Sequence, residues 1–484
     1  MRRSSVPLCL AVLLGSLVAL VRPVAAHVGG LTDTTVSAPV PTWLTVLTGG
    51  AIVGVSFLLT SVVTDHDLIR GVAGAHIRLP GLATLRRWGR RAFQLLGLGA
   101  LAFIVVTGMV GPTTPTENAA ILLVWAAWWG GFTMTVYLLG NSWPAVDPVR
   151  TLAGLIPSAG RFSYPDRLGA WPSVAGLLGL VYFEVVMPVA SAPRFLTVVV
   201  LAYVLVGLLG AWAFGRATWF GTIDPVARVF RVYGRFAPIQ RTADGFELRL
   251  PGNTLIDDAT RHPLARGSSG GDASEDAGSG RATPINEAGQ TAFIVALLWV
   301  TTYDGLVATP LWRAFATPIV GGGVPPLVLY LVAILAGFAL FLALYRLATR
   351  RGRDAAETYV SARFFQDWFA PALVPIAAGY HIAHFFGYFL SLSPALLAVL
   401  GSPLAPPTEL LVIVLPEWWG SIQLLFVLVG HLIAVWVAHA LAFELFPGIL
   451  TPLRSQYPLV LAMIVYTMIS AWIVTQPFGA PPFV

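Results

Sequence analysis

Four of the chain's eight histidines fall in two apolar runs near the C-terminus. His381 and His384 lie within GYHIAHFF, inside the run from about 368 to 392, while His431 and His439 lie in a second run from about 421 to 446. Residues three apart on a helix are near neighbours, separated by about 4.5 Å along the axis, so the imidazoles of His381 and His384 are expected to point the same way. Ionisable side chains are costly in hydrocarbon and by default mark a site. Taken singly, each histidine also fits a neutral imidazole bonded to a neighbouring helix. Taken together, the four point to ligation of a metal or a haem. Two carboxylates join them, Glu184 in VYFEVVMPV and Asp304 in TTYDGLVATP.

Depth tests whether these groups share one site. Counted at the helical rise from the expected helix ends, Glu184, Asp304, His381, His384 and His431 all fall roughly 20 to 24 Å from the inner membrane edge. His439, eight residues beyond His431, is about 12 Å away along the axis and about 80° round it. It is expected nearer the inner leaflet, supporting a ligand, serving another site, or capped by Glu444. Three imidazoles with one or two carboxylates suit zinc, copper or iron rather than magnesium or calcium. An ion with an open coordination position lowers the pKa of bound water and supplies a hydroxide for ester or phosphoryl attack, with Glu184 or Asp304 as general base.

The elements that must position these groups are membrane helices. The chain is 484 residues long, 56% hydrophobic and only 11% charged, with a mean hydropathy of +0.77, which excludes a soluble globule. The fold class is all-α, a polytopic membrane helical bundle. Residues 1–26 read as a cleaved signal peptide: Arg2 and Arg3, an apolar run from about 6 to 20, then Val24-Ala25-Ala26. Cleavage there leaves His27 as the N-terminus, whose amine and imidazole together can chelate copper, although the bland reading is that His27 merely follows the cleavage site. The single cysteine, Cys9, falls within the signal, which leaves no disulfide or thiol chemistry for the mature chain.

About ten spans of bilayer length follow, near 43–63, 91–111, 118–139, 171–190, 195–214, 289–309, 324–346, 368–392, 421–446 and 457–476. Arginine placement orients them. The loops 64–90, 140–170, 215–288, 347–367 and 447–456 hold most of the arginines, whereas the alternate loops hold little beyond Arg194 and Arg313. By the positive-inside rule both termini are extracytoplasmic and the protein belongs in the cell membrane. The net charge of +6 is explained by that orientation and not by nucleic acid. The Gly-, Ser- and acid-rich stretch RGSSGGDASEDAGSGRATP marks a disordered cytoplasmic linker over 243–288. It divides a five-helix half, 27–242, from a second five-helix half, 289–484, which carries the histidine site. The segments 143–155 and 223–236 mix aromatics, proline and arginine and fit helices lying on the inner leaflet, or ordinary loops.

The order of motifs resembles a family of prokaryotic multipass membrane proteins, some labelled fenitrothion hydrolase, an organophosphate triesterase activity. The resemblance runs over nearly the whole mature chain: Ala26-His27, LLGNSWPAVDPVRTL at 138–152, VYFEVV, TTYDGLVATPLW at 301–312, LVPIAAGYHIAHFF at 373–386, GHLIAVWVAH at 430–439 and SQYPLVLAM at 455–463. It implies that Glu184, Asp304, His381, His384, His431 and His439 belong to the family's pattern. The leading expectation is therefore a metal-dependent membrane hydrolase, zinc its most natural ion, acting on a small apolar ester that enters from the bilayer or the outer face. Two other readings stand beside it: a haem b or copper redox protein with axial histidines on the eighth and ninth spans, and an ion or small-molecule transporter using the buried charges as a relay.

Overall fold

The computed structural model describes residues 41–80, 83–157, 160–242, 245–260, 288–416, 418–477 and 479–484. The expected signal peptide, His27 and most of the expected linker lie outside them. Apolar composition over bilayer length gives helices, as it must where no water is present to satisfy a backbone. In chain order these are α1 (Thr42–Thr60), α2 (His66–Gly74), α3 (Ala83–Val110), α4 (Ala119–Leu139), α5 (Pro148–Ala153), α6 (Trp171–Val186), α7 (Pro193–Phe214), α8 (Pro225–Gly234), α9 (Asn253–Thr260), α10 (Gln290–Val307), α11 (Pro310–Gly321), α12 (Pro326–Ala355), α13 (Ala362–Phe369), α14 (Val374–Gly401), α15 (Trp419–Leu445) and α16 (Leu450–Val474).

Among the described residues nine helical stretches are long and apolar enough to cross a membrane, α13 and α14 counting as one run broken only by a 3₁₀ turn. They match nine of the ten expected spans. The remaining one, expected over 171–190, is the 16-residue α6. It is short because of Pro188: the residue before a proline is driven out of the helical region, and Met187 is extended at φ −114°, ψ 151°.

Both expected halves share one hydrophobic core, so the linker does not separate two bodies. At the end of the bundle where α10 begins, Arg228 of α8 is almost wholly buried. It donates to the Ser173 hydroxyl at 3.1 Å, to the Thr222 carbonyl at 2.9 Å, and to the Gln290 side chain on the first residue of α10. The inner-leaflet reading of 223–236 is corrected here. Phe230 and Tyr233 are fully buried, because α8 fits beneath α4 and α6 instead of lying on lipid. The segment 143–155 is a one-turn helix, Trp143–Val146, followed by α5, which Asp147 caps through the Val149 and Arg150 amides.

The same end carries a three-stranded antiparallel sheet absent from the sequence reading, with β1 (His76–Pro80), β2 (Ile239–Arg241) and β3 (Gly245–Arg249) in the order β1-β3-β2. Phe246-Glu247-Leu248-Arg249 alternates apolar and charged residues, the period of a strand. Residues 245–260 of the expected linker are thus strand and helix. At the opposite end the tail folds back over α10: the Gly479 amide donates to the Ala308 carbonyl at 3.0 Å, and Tyr330 donates to the Pro482 carbonyl at 2.9 Å.

Candidate acid–base site

Helix α10 is buried along nearly its whole length, and Asp304 sits three residues before its end, opposite the sheet. From α14, His384 brings Nε2 to 3.2 Å from the Asp304 carboxylate, the two side chains being 15% and 11% exposed. Tyr380, one turn earlier, lies parallel to the His384 ring. Its hydroxyl rests against the α10 backbone at Gly305, where any Cβ would collide with it. The glycine of Tyr-Asp-Gly therefore exists to let a phenol close on the backbone beside the carboxylate. Tyr303 points the other way and donates to the Tyr330 carbonyl at 3.2 Å.

Glu184 is half-buried near the end of α6. It and Asp304 lie within electrostatic range of Tyr303, and Glu184 also reaches Tyr388 on α14. Of the five groups expected at one level, Asp304 and His384 are in contact. The expectation that His381 and His384 point the same way is corrected. Three residues of helix leave two side chains about 60° apart, enough to send them to different neighbours. His384 faces α10, whereas His381 enters a box of rings: Trp129 edge-on at 5.0 Å, Phe385 at 4.5 Å, Tyr233 at 5.6 Å and Tyr137 at 5.8 Å between centroids.

Helix α4 reaches that box through an unusual backbone. Leu123–Phe132 is ten residues of π-helix, a conformation rare beyond a single turn and frequent at functional sites. Gly130 and Gly131, within it, leave room for Phe389 of α14. The close approach of α14 to α15 has the same origin: a Cβ at Gly379 would lie 2.6 Å from the Phe426 carbonyl, and one at Gly430 would lie 2.5 Å from the Pro375 carbonyl.

The other two histidines turn elsewhere. His431 is fully buried with Nδ1 2.9 Å from the carbonyl of Val427 on its own helix. A carbonyl only accepts, so Nδ1 carries the proton, the tautomer of a ligating imidazole. His439 Nε2 donates to the Val63 carbonyl just after α1, at 2.9 Å. Among the described residues no group of three or more His, Cys, Asp and Glu side chains is arranged to hold a metal ion. His381, His384, His431 and His439 thus serve four separate surroundings. A zinc, copper or iron centre takes three or four donors, and the meeting of Asp304 with His384 supplies two.

Sequence reading passed over Tyr137, Tyr233, Trp129 and Tyr380. Tyr380 stands beside His381 within the motif itself, and paired glycines after WW in an apolar span were the available signal for the π-helix. A further buried polar group lies between spans at the sheet end. Tyr203 donates to both oxygens of Asp224 at 2.9 and 2.8 Å, and Asp147 sits 3.7 Å from Arg150. Burial pushes the Asp147 carboxyl up to about 6 and raises that of Asp224. No family model, curated protein or solved structure matches the chain.

Proposed function

We propose that the chain is an integral membrane hydrolase of small apolar esters, organophosphate-like triesters among them, with Asp304 and His384 as its acid–base pair. The observation that carries this reading is the 3.2 Å contact between the two side chains inside a membrane-spanning bundle. A carboxylate beside an imidazole fixes its orientation and tautomer and stabilises the cation formed when the ring accepts a proton. In that role His384 takes the proton of an attacking water, Asp304 holds the resulting imidazolium, and Tyr380, alongside, offers a hydroxyl to bond the developing oxyanion. Neutral esters partition into hydrocarbon, which suits a site reached through apolar helices. Zinc remains the expectation drawn from residue types. The donor arrangement does not fit it, and no step here depends on an ion.

The test is turnover by purified protein of chromogenic carboxyl esters and phosphate mono-, di- and triesters. Asp304→Asn and His384→Gln are expected to lower kcat/KM on the triester by about 10²- to 10⁴-fold. Absence of turnover across the set, or parent-like activity in both variants, would refute the reading. Relay of protons or ions is the second reading, and the polar atoms gathered around His381 favour it.

A further inference from the structure

Both ring nitrogens of His381 are buried without a hydrogen-bond partner, and so are the hydroxyls of Tyr137 and Tyr233. The tyrosine rings are 4.9 Å apart, and with His381 they close a triangle of polar rings. The two hydroxyls face each other as weak partners, short of full hydrogen-bond geometry, and neither reaches His381. A buried polar atom without a full hydrogen bond is destabilising, a cost that phenylalanine at 137 and 233 would have avoided. Polar groups kept at that cost in a membrane bundle are kept for something that binds there or passes through.

Placement indicates which. Asp304 is three residues from the end of α10, opposite the sheet. Tyr137 is two residues from the end of α4, and Tyr233 one residue from the end of α8, both at the sheet end, where Gly234 packs on the backbone of Asn141. His384 and His381 stand between them, about 4.5 Å apart along α14 and within electrostatic range of each other. Carboxylate, imidazole, imidazole and phenol pair thus form a file of proton-exchanging groups leading from the Asp304 level towards the sheet end. Tyr303, Tyr380, Tyr388 and Glu184 also face it, at its Asp304 end. Trp129 and Phe385 close the sides of the His381 box.

We propose that this file is a proton pathway through the membrane bundle, with His381 as its central carrier exchanging with Tyr137 and Tyr233 through one or two ordered waters. Three polar side chains around one point supply the two to four bonds that an internal water needs. The step balances without any redox partner. A proton arriving on one ring nitrogen is matched by one leaving the other, and each phenol gives up its proton as it receives the next. The proposal takes the Asp304–His384 pair of the proposed function as its entry.

The test uses the full chain in sealed phosphatidylcholine and phosphatidylglycerol vesicles with an entrapped pH dye, a potassium gradient and valinomycin. The parent is expected to change internal pH faster than protein-free vesicles. His381→Gln, and Tyr137→Phe with Tyr233→Phe, are each expected to slow that rate about tenfold or more, while His66→Gln, outside the file, leaves it unchanged. A parent rate equal to that of empty vesicles, or parent-like flux in His381→Gln, overturns the pathway. If His381→Gln does not reconstitute, the double tyrosine variant carries the same test, since it removes two oxygens whose only near partner is each other. Ester turnover by the same preparations separates the two readings: turnover without flux removes the pathway and leaves the hydrolase, and flux without turnover does the reverse.

Discussion

At the scale of single residues, burial decides which charges are functional and which are structural. Asp147 caps α5 from a nearly closed position and holds its carboxyl at about 6 against a usual 3.8. A folded-state pKa above the unfolded one means the acid's stabilising effect is complete below about pH 4 and is lost as pH rises through 6. A shift of about two units corresponds to roughly 3 kcal/mol. Asn keeps the capping oxygen without the charge. Asp147→Asn is therefore expected to raise the thermal midpoint in detergent at pH 7 and to leave it unchanged at pH 4; an equal effect at both values would show that the charge is immaterial. That Asp304 and His384 lie in apolar spans was legible in the sequence, because ionisable residues in such runs are conspicuous. Their pairing was not, since it depends on which way α14 is rotated against α10.

At the scale of elements, the limiting features are the places where backbones touch. The crossing of Gly379 with Gly430 sets the distance between α14 and α15, and so the rotation that sends His381 and His384 to different neighbours. Gly379→Ala and Gly430→Ala must force the helices apart at a cost of about 1 to 3 kcal/mol. Each is expected to lower the thermal midpoint and, by shifting α14, to weaken ester turnover more than Gly401→Ala, where a Cβ meets open space. Parent-like stability in all three would remove the crossing from the argument. Span positions were readable from hydropathy to within a few residues at most ends, the larger differences falling where helices run on past the apolar stretch, at Ala355, Gly401 and Leu450. The sheet was missed because β2 and β3 are short and lie within a basic stretch that reads as loop, and β1 pairs with β3 from about 170 residues away, a partner that no local pattern reveals.

At the scale of the molecule, the two ends differ in character. The sheet, the buried Arg228 and both flanks of the 261–287 segment lie at one, and the tail through Val484 lies over α10 at the other. Together with the arginine distribution this predicts that an impermeant thiol reagent labels single cysteines placed at Ser274 and just after Val484 from opposite sides of the membrane, the former from the cytoplasm. Labelling of both from one side would overturn the orientation.

The ten-residue π-helix makes α4 unusually tolerant of a loss of length. A π turn holds nearly one residue more than an α turn, so the Leu123–Phe132 stretch stores surplus chain. Deleting one residue from an ordinary α-helix turns everything after it by about 100°. Here relaxation of the stretch towards α geometry can absorb the loss, so a single-codon deletion within Leu123–Phe132 is tolerated better than one elsewhere in the same span.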